Sequence, residues 1–166
     1  MNVLELFAPV KTFVFDVDGV LTNSQLLAME DGSLLRSVNI KDGYALQLAI
    51  KKGYHIWIIS GGTSEAIKKR FEKLGLEEVH IAVKDKKAVL QELAAKHNIA
   101  LEHTLYMGDD MPDYEVMQMC GLPTCPADAC PEIKNISKYV SPVNGGMGCV
   151  RDVVEKVLKL NGHWAV

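Results

Sequence analysis

Two aspartates separated by a single residue, Asp16 and Asp18, are the residues of this sequence best suited to chemistry. They follow Thr12–Phe15, a run of apolar and β-branched residues typical of a buried strand in a parallel sheet. Gly19 comes next, so both carboxylates are expected at the carboxyl end of a strand, where open α/β sheets bind ligands. Carboxylates this close repel each other and need a cation or a shared proton.

Polar side chains also follow two other predicted strands. Ser60 ends the second strand, and Lys86 opens the helix that precedes the fourth. The loop after the fourth strand contributes Asp109, Asp110 and Asp113. Because parallel strands end at one edge of a sheet, all these groups are expected to converge there. A cluster of carboxylates suits Mg²⁺ with a substrate phosphate, and no His or Cys lies among these positions to favour zinc.

This set of groups is suited to phosphoryl transfer. Mg²⁺, the Lys86 ammonium, the Ser60 hydroxyl and loop amides would stabilise the phosphoryl oxygens. An aspartate can attack phosphorus to form an aspartyl phosphate, which divides hydrolysis into two easier steps. A second carboxyl two residues away can donate a proton to the leaving alcohol and then accept one from water. Asp16 and Asp18 have the spacing for these two roles, which predicts a Mg²⁺-dependent phosphomonoester hydrolase.

Strands that alternate with helices must position these groups. Strands are predicted at residues 12–15, 54–59, 79–83, 104–108 and 122–125, with an edge strand at Tyr139–Val140. Helices are predicted at residues 43–52, capped by Asp42, at 64–74, at 86–97, capped by Asp85, at 114–120 and at 149–160. The alternation predicts an α/β fold, a three-layer Rossmann-like parallel sheet with helices on both faces. Residues 1–166 are interpreted as one hydrolase domain.

A β-hairpin is predicted at residues 25–38, as an insertion after the first strand. An Asp-Gly turn at Asp31 joins two short runs that contain four leucines and a methionine. Isolated hairpins are marginally stable, and an apolar one suggests burial against another subunit. The alternative is that the hairpin folds back on its own domain.

Composition excludes several classes of function. The formal net charge is −3 and no basic block exceeds three residues, so there is no electrostatic footprint for nucleic acid. No apolar run approaches the ~20 residues of a membrane span, and the N-terminus lacks a basic signal region, so we expect a cytoplasmic protein. The four cysteines show no C-x-x-C pair and are expected to be reduced and packed.

The polar motifs together resemble the four ordered motifs of the haloacid dehalogenase superfamily of phosphohydrolases. The matching positions are residues 16–22 (Asp-Val-Asp-Gly-Val-Leu-Thr), Ser60, Lys86 and residues 108–113. The resemblance implies that Ser60 and Lys86 hold the phosphate. Lys84 and Lys87 compete with Lys86, which is preferred because Asp85-Lys86 matches the family's Asp-Lys pair.

The same resemblance implies the catalytic roles and the metal ligands. Asp16 would be the nucleophile and a Mg²⁺ ligand, and Asp18 the general acid and base that also offers its backbone carbonyl to the metal. Asp109 would be the second direct carboxylate ligand. Asp113 or Asp110 would contact the ligands without binding the metal directly.

A finer resemblance is to capless 3-deoxy-D-manno-octulosonate 8-phosphate phosphatases. The short spacings from Asp18 to Ser60 and from Ser60 to Lys86 leave no room for a separate cap domain. The hairpin and the segments 39–43 and 145–152 are also similar. The resemblance implies a homotetramer in which four hairpins 25–38 form a central barrel and a neighbouring subunit closes the site.

The substrate itself stays open at this point. In the octulosonate enzymes Gly-Arg commonly follows the Ser or Thr of the second strand, whereas relatives acting on nine-carbon ketoaldonic (sialic-type) acid 9-phosphates have Gly-Glu. This sequence has Gly61 and Gly62. Substrate contacts are expected from Ser60, Gly61 and Lys86. Lys68, Lys69 or Arg70 on the next helix is expected to contact a substrate carboxylate, with Arg70 as the chosen candidate, and Arg151 is a further candidate.

A phospho-accepting receiver-like regulatory domain is the alternative from another class. Such domains also place Asp, Ser or Thr, Lys and a Mg²⁺ site on a parallel α/β sheet. Motif order counts against it, because a receiver's phosphorylated Asp follows its third strand. Here residues 79–83 lead to Lys84 with no aspartate before the helix cap.

Overall fold

Six parallel strands form the central sheet in the computed structural model, which describes residues 2–165. In chain order the strands are β1 (Thr12–Phe15), β2 (Leu27–Ala28), β3 (Leu34–Leu35), β4 (His55–Ile59), β5 (Glu78–His80), β6 (Thr104–Met107), β7 (Leu122–Cys125) and β8 (Tyr139–Val140). The order across the sheet is β5-β4-β1-β6-β7-β8, and β2 and β3 pair separately as an antiparallel hairpin. Since β1 lies between β4 and β6, the aspartates that follow it lie at the centre of the sheet edge.

Helices cover both faces of this sheet. They are α1 (Val3–Phe7), α2 (Ile40–Lys51), α3 (Glu65–Lys73), α4 (Lys86–His97), α5 (Tyr114–Met117), α6 (Pro131–Ile136) and α7 (Cys149–Leu160). Side chains of β1 alternate between the two layers: Phe13 and Phe15 pack with α1, α2, α3 and α7, and Val14 packs with α4, α5 and α6. The predicted three-layer α/β fold is therefore confirmed.

One helix start differs from its prediction. Asp85 caps α4 as expected and accepts a hydrogen bond from the backbone of Ala88. Asp42 does not cap α2, which begins three residues earlier with Asn39 as its N-cap. The Asp42 side chain is buried and accepts a hydrogen bond from the Arg151 backbone N–H at 2.9 Å, which ties α2 to the first turn of α7. The prediction was wrong because this tertiary contact determines the position of Asp42.

One further helix was not predicted, and another is shorter than predicted. The sequence pattern predicted no element at Val3–Phe7, where a five-residue helix buries Phe7 against the core. Helix α5 ends at Met117, three residues before the predicted end at Cys120. All four cysteines are free thiols, and three of them are buried, as expected. Among residues 2–165, no helix combines the length and apolar character that a bilayer crossing needs.

The hairpin projects from the sheet edge with its apolar side chains in solvent. The exposed fractions are 62% for Leu27, 46% for Leu34 and 49% for Leu35, and Leu26 and Met29 are similarly exposed. The apolar side chains of the hairpin therefore do not fold back on their own domain, which was the alternative.

Candidate active site

The carboxyl ends of β1, β4 and β6 open into one cavity of about 590 Å³. Its lining contains most of the predicted polar groups, namely Asp16, Asp18, Ser60, Lys86, Asp109 and Asp110, together with Ser24, Gly61, Gly62, Val83, Lys84 and Pro112. The parallel topology brings these residues together because all three strands end at the same edge.

The turn after β1 positions Asp16 and admits Asp109. The Asp16 N–H donates to the Met107 carbonyl of β6 at 3.1 Å, which extends the sheet pairing beyond the end of β1. Gly19 has a φ of +91°, and a Cβ there would lie only 1.8 Å from Asp109 Oδ2. The glycine is therefore required both by the backbone conformation and by the close approach of the Asp109 carboxylate.

Asp16, Asp109 and Asp113 form a three-carboxylate cluster, with one oxygen from each lying within 4.8 Å of the others. Lys86 Nζ lies 3.1 Å from Asp16 Oδ1 and 2.8 Å from Asp113 Oδ1. The Tyr106 hydroxyl donates to the same Asp113 oxygen at 2.8 Å. Lys86 thus connects two of the three carboxylates and neutralises part of their charge.

Burial and mutual repulsion disfavour ionisation in this cluster. Burial, followed by the charge of Asp113, raises the pKa of Asp16 well above its usual value. Burial and the charges of Asp113 and Asp110 raise the pKa of Asp109 to about 7. Burial alone would lower the pKa of Lys86, but the carboxylates of Asp16 and Asp113 outweigh it and raise this pKa. Carboxylates held in this way would ionise readily with a cation between them.

The donor set fits Mg²⁺. The side chains of the cluster offer only oxygen ligands, as a hard cation prefers. Asp113 Oδ2 is buried and has no hydrogen-bond partner. A buried carboxylate oxygen without a partner is costly, and a cation or a water bound to it would remove that cost.

Asp18 lies beside this cluster but is not part of it. Its carboxylate accepts hydrogen bonds from Arg36, at 2.7 Å from Nε and 3.3 Å from Nη2. Its side chain is 40% exposed at the cavity. Sequence reasoning did not single out Arg36. The available signal was a single cationic residue within the predicted hairpin strand of residues 34–38, next to Leu34 and Leu35.

Ser60 and Lys86 lie where the sequence predicted, at the cavity wall. The buried Ser60 side chain accepts a hydrogen bond from the Gly62 N–H at 3.1 Å. Of the competing lysines, Lys84 also lines the cavity, whereas Lys87 forms an ion pair with Glu115 outside it. Lys86 alone of the three contacts the carboxylate cluster.

The acidic loop separates its aspartates into different environments. The sequence left open whether Asp113 or Asp110 lies beside the predicted metal ligands. Asp113 is the one buried in the cluster. Asp110 is exposed, and its side chain accepts a hydrogen bond from the backbone of Met111. Tyr106, which the sequence pattern indicated only as part of a strand, donates a hydrogen bond to Asp113.

Two predicted substrate contacts do not line the cavity. An Arg70 nitrogen lies 3.3 Å from the position of a Cβ on Gly43, so the side chain of Arg70 faces α2. Arg151 donates to Glu155, and its guanidinium stacks over the rings of Tyr44 and Trp164. Arg70 therefore lies against α2 and Arg151 against Tyr44 and Trp164, outside the cavity lining, which sequence proximity to the motifs did not reveal.

Comparison with known proteins places the chain in a family. A family model of haloacid dehalogenase-like hydrolases matches residues 78–151. The 3-deoxy-D-manno-octulosonate 8-phosphate phosphatase KdsC of Escherichia coli (strain K12) is 31% identical over 92% of this chain and 81% of its own length. The chain belongs to the haloacid dehalogenase-like hydrolases.

Within this family the chain is similar to 3-deoxy-D-manno-octulosonate 8-phosphate phosphatases. The structure of the 3-deoxy-D-manno-octulosonate 8-phosphate phosphatase of Yersinia pestis matches with a TM-score of 0.94 and 30% identity, over 97% of this chain and 87% of that one. The enzyme of the same name from Moraxella catarrhalis, solved with magnesium, phosphate and KDO, matches with a TM-score of 0.91 and 30% identity, over 96% of this chain and 91% of that one. Their names describe phosphatases of a phosphorylated keto sugar acid.

Proposed function

We propose that this chain is a Mg²⁺-dependent phosphomonoesterase that hydrolyses a phosphorylated keto sugar acid through an aspartyl phosphate, with 3-deoxy-D-manno-octulosonate 8-phosphate as the favoured substrate. The observation that carries the proposal is the cluster of Asp16, Asp109 and Asp113, with its unpartnered Asp113 oxygen, next to Lys86 and Asp18 in one cavity. The likeness to the octulosonate phosphatases supports the substrate class.

The metal would be held by the carboxylates of Asp16 and Asp109, with the Asp18 backbone carbonyl as a further ligand and Asp113 beside them. A bound Mg²⁺ would offset the charge of these carboxylates and of the phosphate oxygens. Lys86, Ser60 and the Gly61 amide line the same cavity, so we assign them to the remaining phosphate oxygens. These contacts orient the phosphorus toward Asp16.

Each step then has a residue that performs it. A carboxylate oxygen of Asp16 attacks phosphorus, and the ester P–O bond breaks as Asp18 donates a proton to the leaving oxygen. Water next attacks phosphorus, the bond to Asp16 breaks, and Asp18 accepts the proton from water. The products are an alcohol and inorganic phosphate, and both aspartates return to their starting state.

We further propose a cytoplasmic homotetramer assembled through the hairpin 25–38, with residues 1–166 as one domain. The exposed leucines of the hairpin supply the apolar surface that such assembly would bury. Four free thiols are in keeping with a reducing compartment. Analytical ultracentrifugation of the full chain, with Leu27→Lys as the variant, tests the tetramer. A monomeric wild-type chain would contradict it.

The experiment that tests the function is phosphate release from a panel of sugar, keto sugar-acid and nucleotide monophosphates with Mg²⁺ or EDTA. We expect turnover of the octulosonate 8-phosphate with Mg²⁺, loss of at least about 10³-fold in Asp16→Asn, and unchanged activity in the exposed-surface control Glu92→Gln. Preference for a nine-carbon acid 9-phosphate would change the substrate but not the reaction. One phosphate trapped per chain without turnover would indicate a receiver-like domain instead.

A further inference from the structure

Arg36 is unlike the rest of the hairpin. It directly follows β3, where Leu34 and Leu35 are about half exposed, yet its own side chain is only 9% exposed. A long charged side chain is rarely buried to this degree unless it is paired. The partner here is Asp18, eighteen residues earlier in the chain.

The contact between Arg36 and Asp18 involves both carboxylate oxygens. Arg36 Nε donates to Oδ1 at 2.7 Å, and Nη2 donates to Oδ2 at 3.3 Å. A guanidinium that binds a carboxylate through two nitrogens sets the orientation of the carboxylate as well as its position. The Asp18 side chain remains 40% exposed, so it is held on one side and open to the cavity on the other.

Gly62 provides the space for this arrangement. A Cβ at Gly62 would lie 3.1 Å from Asp18 Oδ2, 3.3 Å from Ser60 Oγ and 3.6 Å from Arg36 Nη2. Any larger side chain would therefore extend toward the ion pair or toward the phosphate-binding hydroxyl. The loop after β4 and the hairpin thus meet at the Asp18 carboxylate.

We infer that Arg36 is a positioning residue that orients the Asp18 carboxyl for proton transfer to the leaving oxygen. The inference rests on the proposed function, because it needs Asp18 to act as the general acid. When Asp18 gives its proton to the ester oxygen, the electron pair of the breaking P–O bond takes up that proton and Asp18 is left as a carboxylate. Arg36 offers two charged hydrogen bonds to this form, which then accepts the proton from water in the second step.

A leaving group that needs no proton distinguishes this role from a structural one. Phenyl phosphate and 4-nitrophenyl phosphate have the same ring, but nitrophenolate departs without protonation. For Arg36→Met we expect kcat/KM to fall about 10- to 100-fold on phenyl phosphate and on the best alkyl phosphate of the panel. On 4-nitrophenyl phosphate we expect kcat/KM to fall less than about threefold, because departure of nitrophenolate needs little general-acid catalysis.

Two further variants complete the experiment. Arg36→Lys keeps the charge but only one point of contact. We expect its kcat/KM on phenyl phosphate and on the alkyl phosphate to fall less than that of Arg36→Met. For Arg36→Ala, added guanidinium ion should restore part of kcat/KM on the alkyl phosphate, a readout that does not depend on the aryl esters. Lys51→Met removes one exposed positive charge at the end of α2, outside the cavity lining, and should behave as wild type.

The outcomes separate this inference from the proposed function. A wild-type chain that releases no phosphate from any ester contradicts the proposed function itself. An active wild type with wild-type rates in the folded Arg36 variants overturns the inference alone. A raised KM with unchanged kcat and an equal loss on all esters would also overturn it, because Arg36 would then bind substrate instead of orienting Asp18.

Discussion

Removal of one charge from the carboxylate cluster should stabilise the metal-free protein while it disrupts the proposed Mg²⁺ site. Asp109→Asn is the informative change, because burial and the charges of Asp113 and Asp110 raise the pKa of Asp109 from 3.8 to about 7. The folded chain therefore binds this proton more tightly than the unfolded chain does. Without metal, the free energy of unfolding falls as the pH rises from about 4 through about 7.

The size of the effect follows from the shift in the pKa of Asp109. A rise from 3.8 to about 7 corresponds to about 4 kcal/mol at about 1.4 kcal/mol per pH unit. Water in the open cavity screens part of this free energy. The ionised Asp109 then destabilises the metal-free protein by about 2 kcal/mol above pH 8. In EDTA at that pH, Asp109→Asn should raise Tm by roughly 4–8 °C for a chain of this size, and by less at pH 5.

Magnesium should reverse the order of stability. At 100 times its Kd, Mg²⁺ should add about 2.7 kcal/mol to the wild type and little to the variant, which lacks the proposed Asp109 ligand. Thermal unfolding followed by circular dichroism, in EDTA and in Mg²⁺ at pH 5 and pH 8, measures all four combinations. Glu92→Gln removes an exposed charge from α4 and should change Tm little in any of them. A variant less stable than the wild type in EDTA at pH 8 would refute the reasoning.

Two further predictions concern stability at residues that do not themselves belong to the carboxylate cluster. Burial by itself raises the pKa of Glu78, but hydrogen bonds from Lys96, His80 and His97 outweigh it and lower the pKa to about 2. The stabilisation from Glu78 is therefore present above about pH 4.5 and is lost as the pH falls toward 2. Because Lys96 is 61% exposed, Glu78→Gln should cost only about 1 kcal/mol in urea unfolding at pH 7. A cost that does not shrink at pH 3 would contradict this account. Gly145→Ala would place a Cβ 1.9 Å from the backbone oxygen of Gly19, so we expect a loss of about 1–3 kcal/mol in the same assay, together with reduced kcat. An unchanged urea midpoint would show that the loop accommodates the methyl group.

Short-range patterns in the sequence predicted most of the helices and strands. The run before Asp16 formed the central strand, and Asp85 capped α4 where expected. Such features depend on residues a few positions apart, so their outcome is decided locally. Parallel topology then places Asp16, Ser60, Lys86 and Asp109 at one edge of the sheet. This could be predicted although no side-chain contact was known.

Contacts between distant segments were decided by packing. Asp42 resembled a helix cap, but the folded chain uses it to bind the backbone at Arg151, 109 residues away. Arg151 itself stacks over Tyr44 and is not among the residues that line the cavity. A local pattern cannot rank such alternatives, because each depends on which surfaces the tertiary fold brings into contact.

The sequence by itself determined that carboxylates, a hydroxyl and a lysine would meet at the carboxyl edge of a parallel sheet, since strand order and residue type suffice for that conclusion. Only the tertiary structure decided how the carboxylates are divided. Asp113 joins Asp16 and Asp109 because Lys86 and Tyr106 hold it there, whereas Asp18 pairs with Arg36 at the rim. That division depends on side-chain distances of a few ångströms, which burial and ion pairing set only in the folded chain.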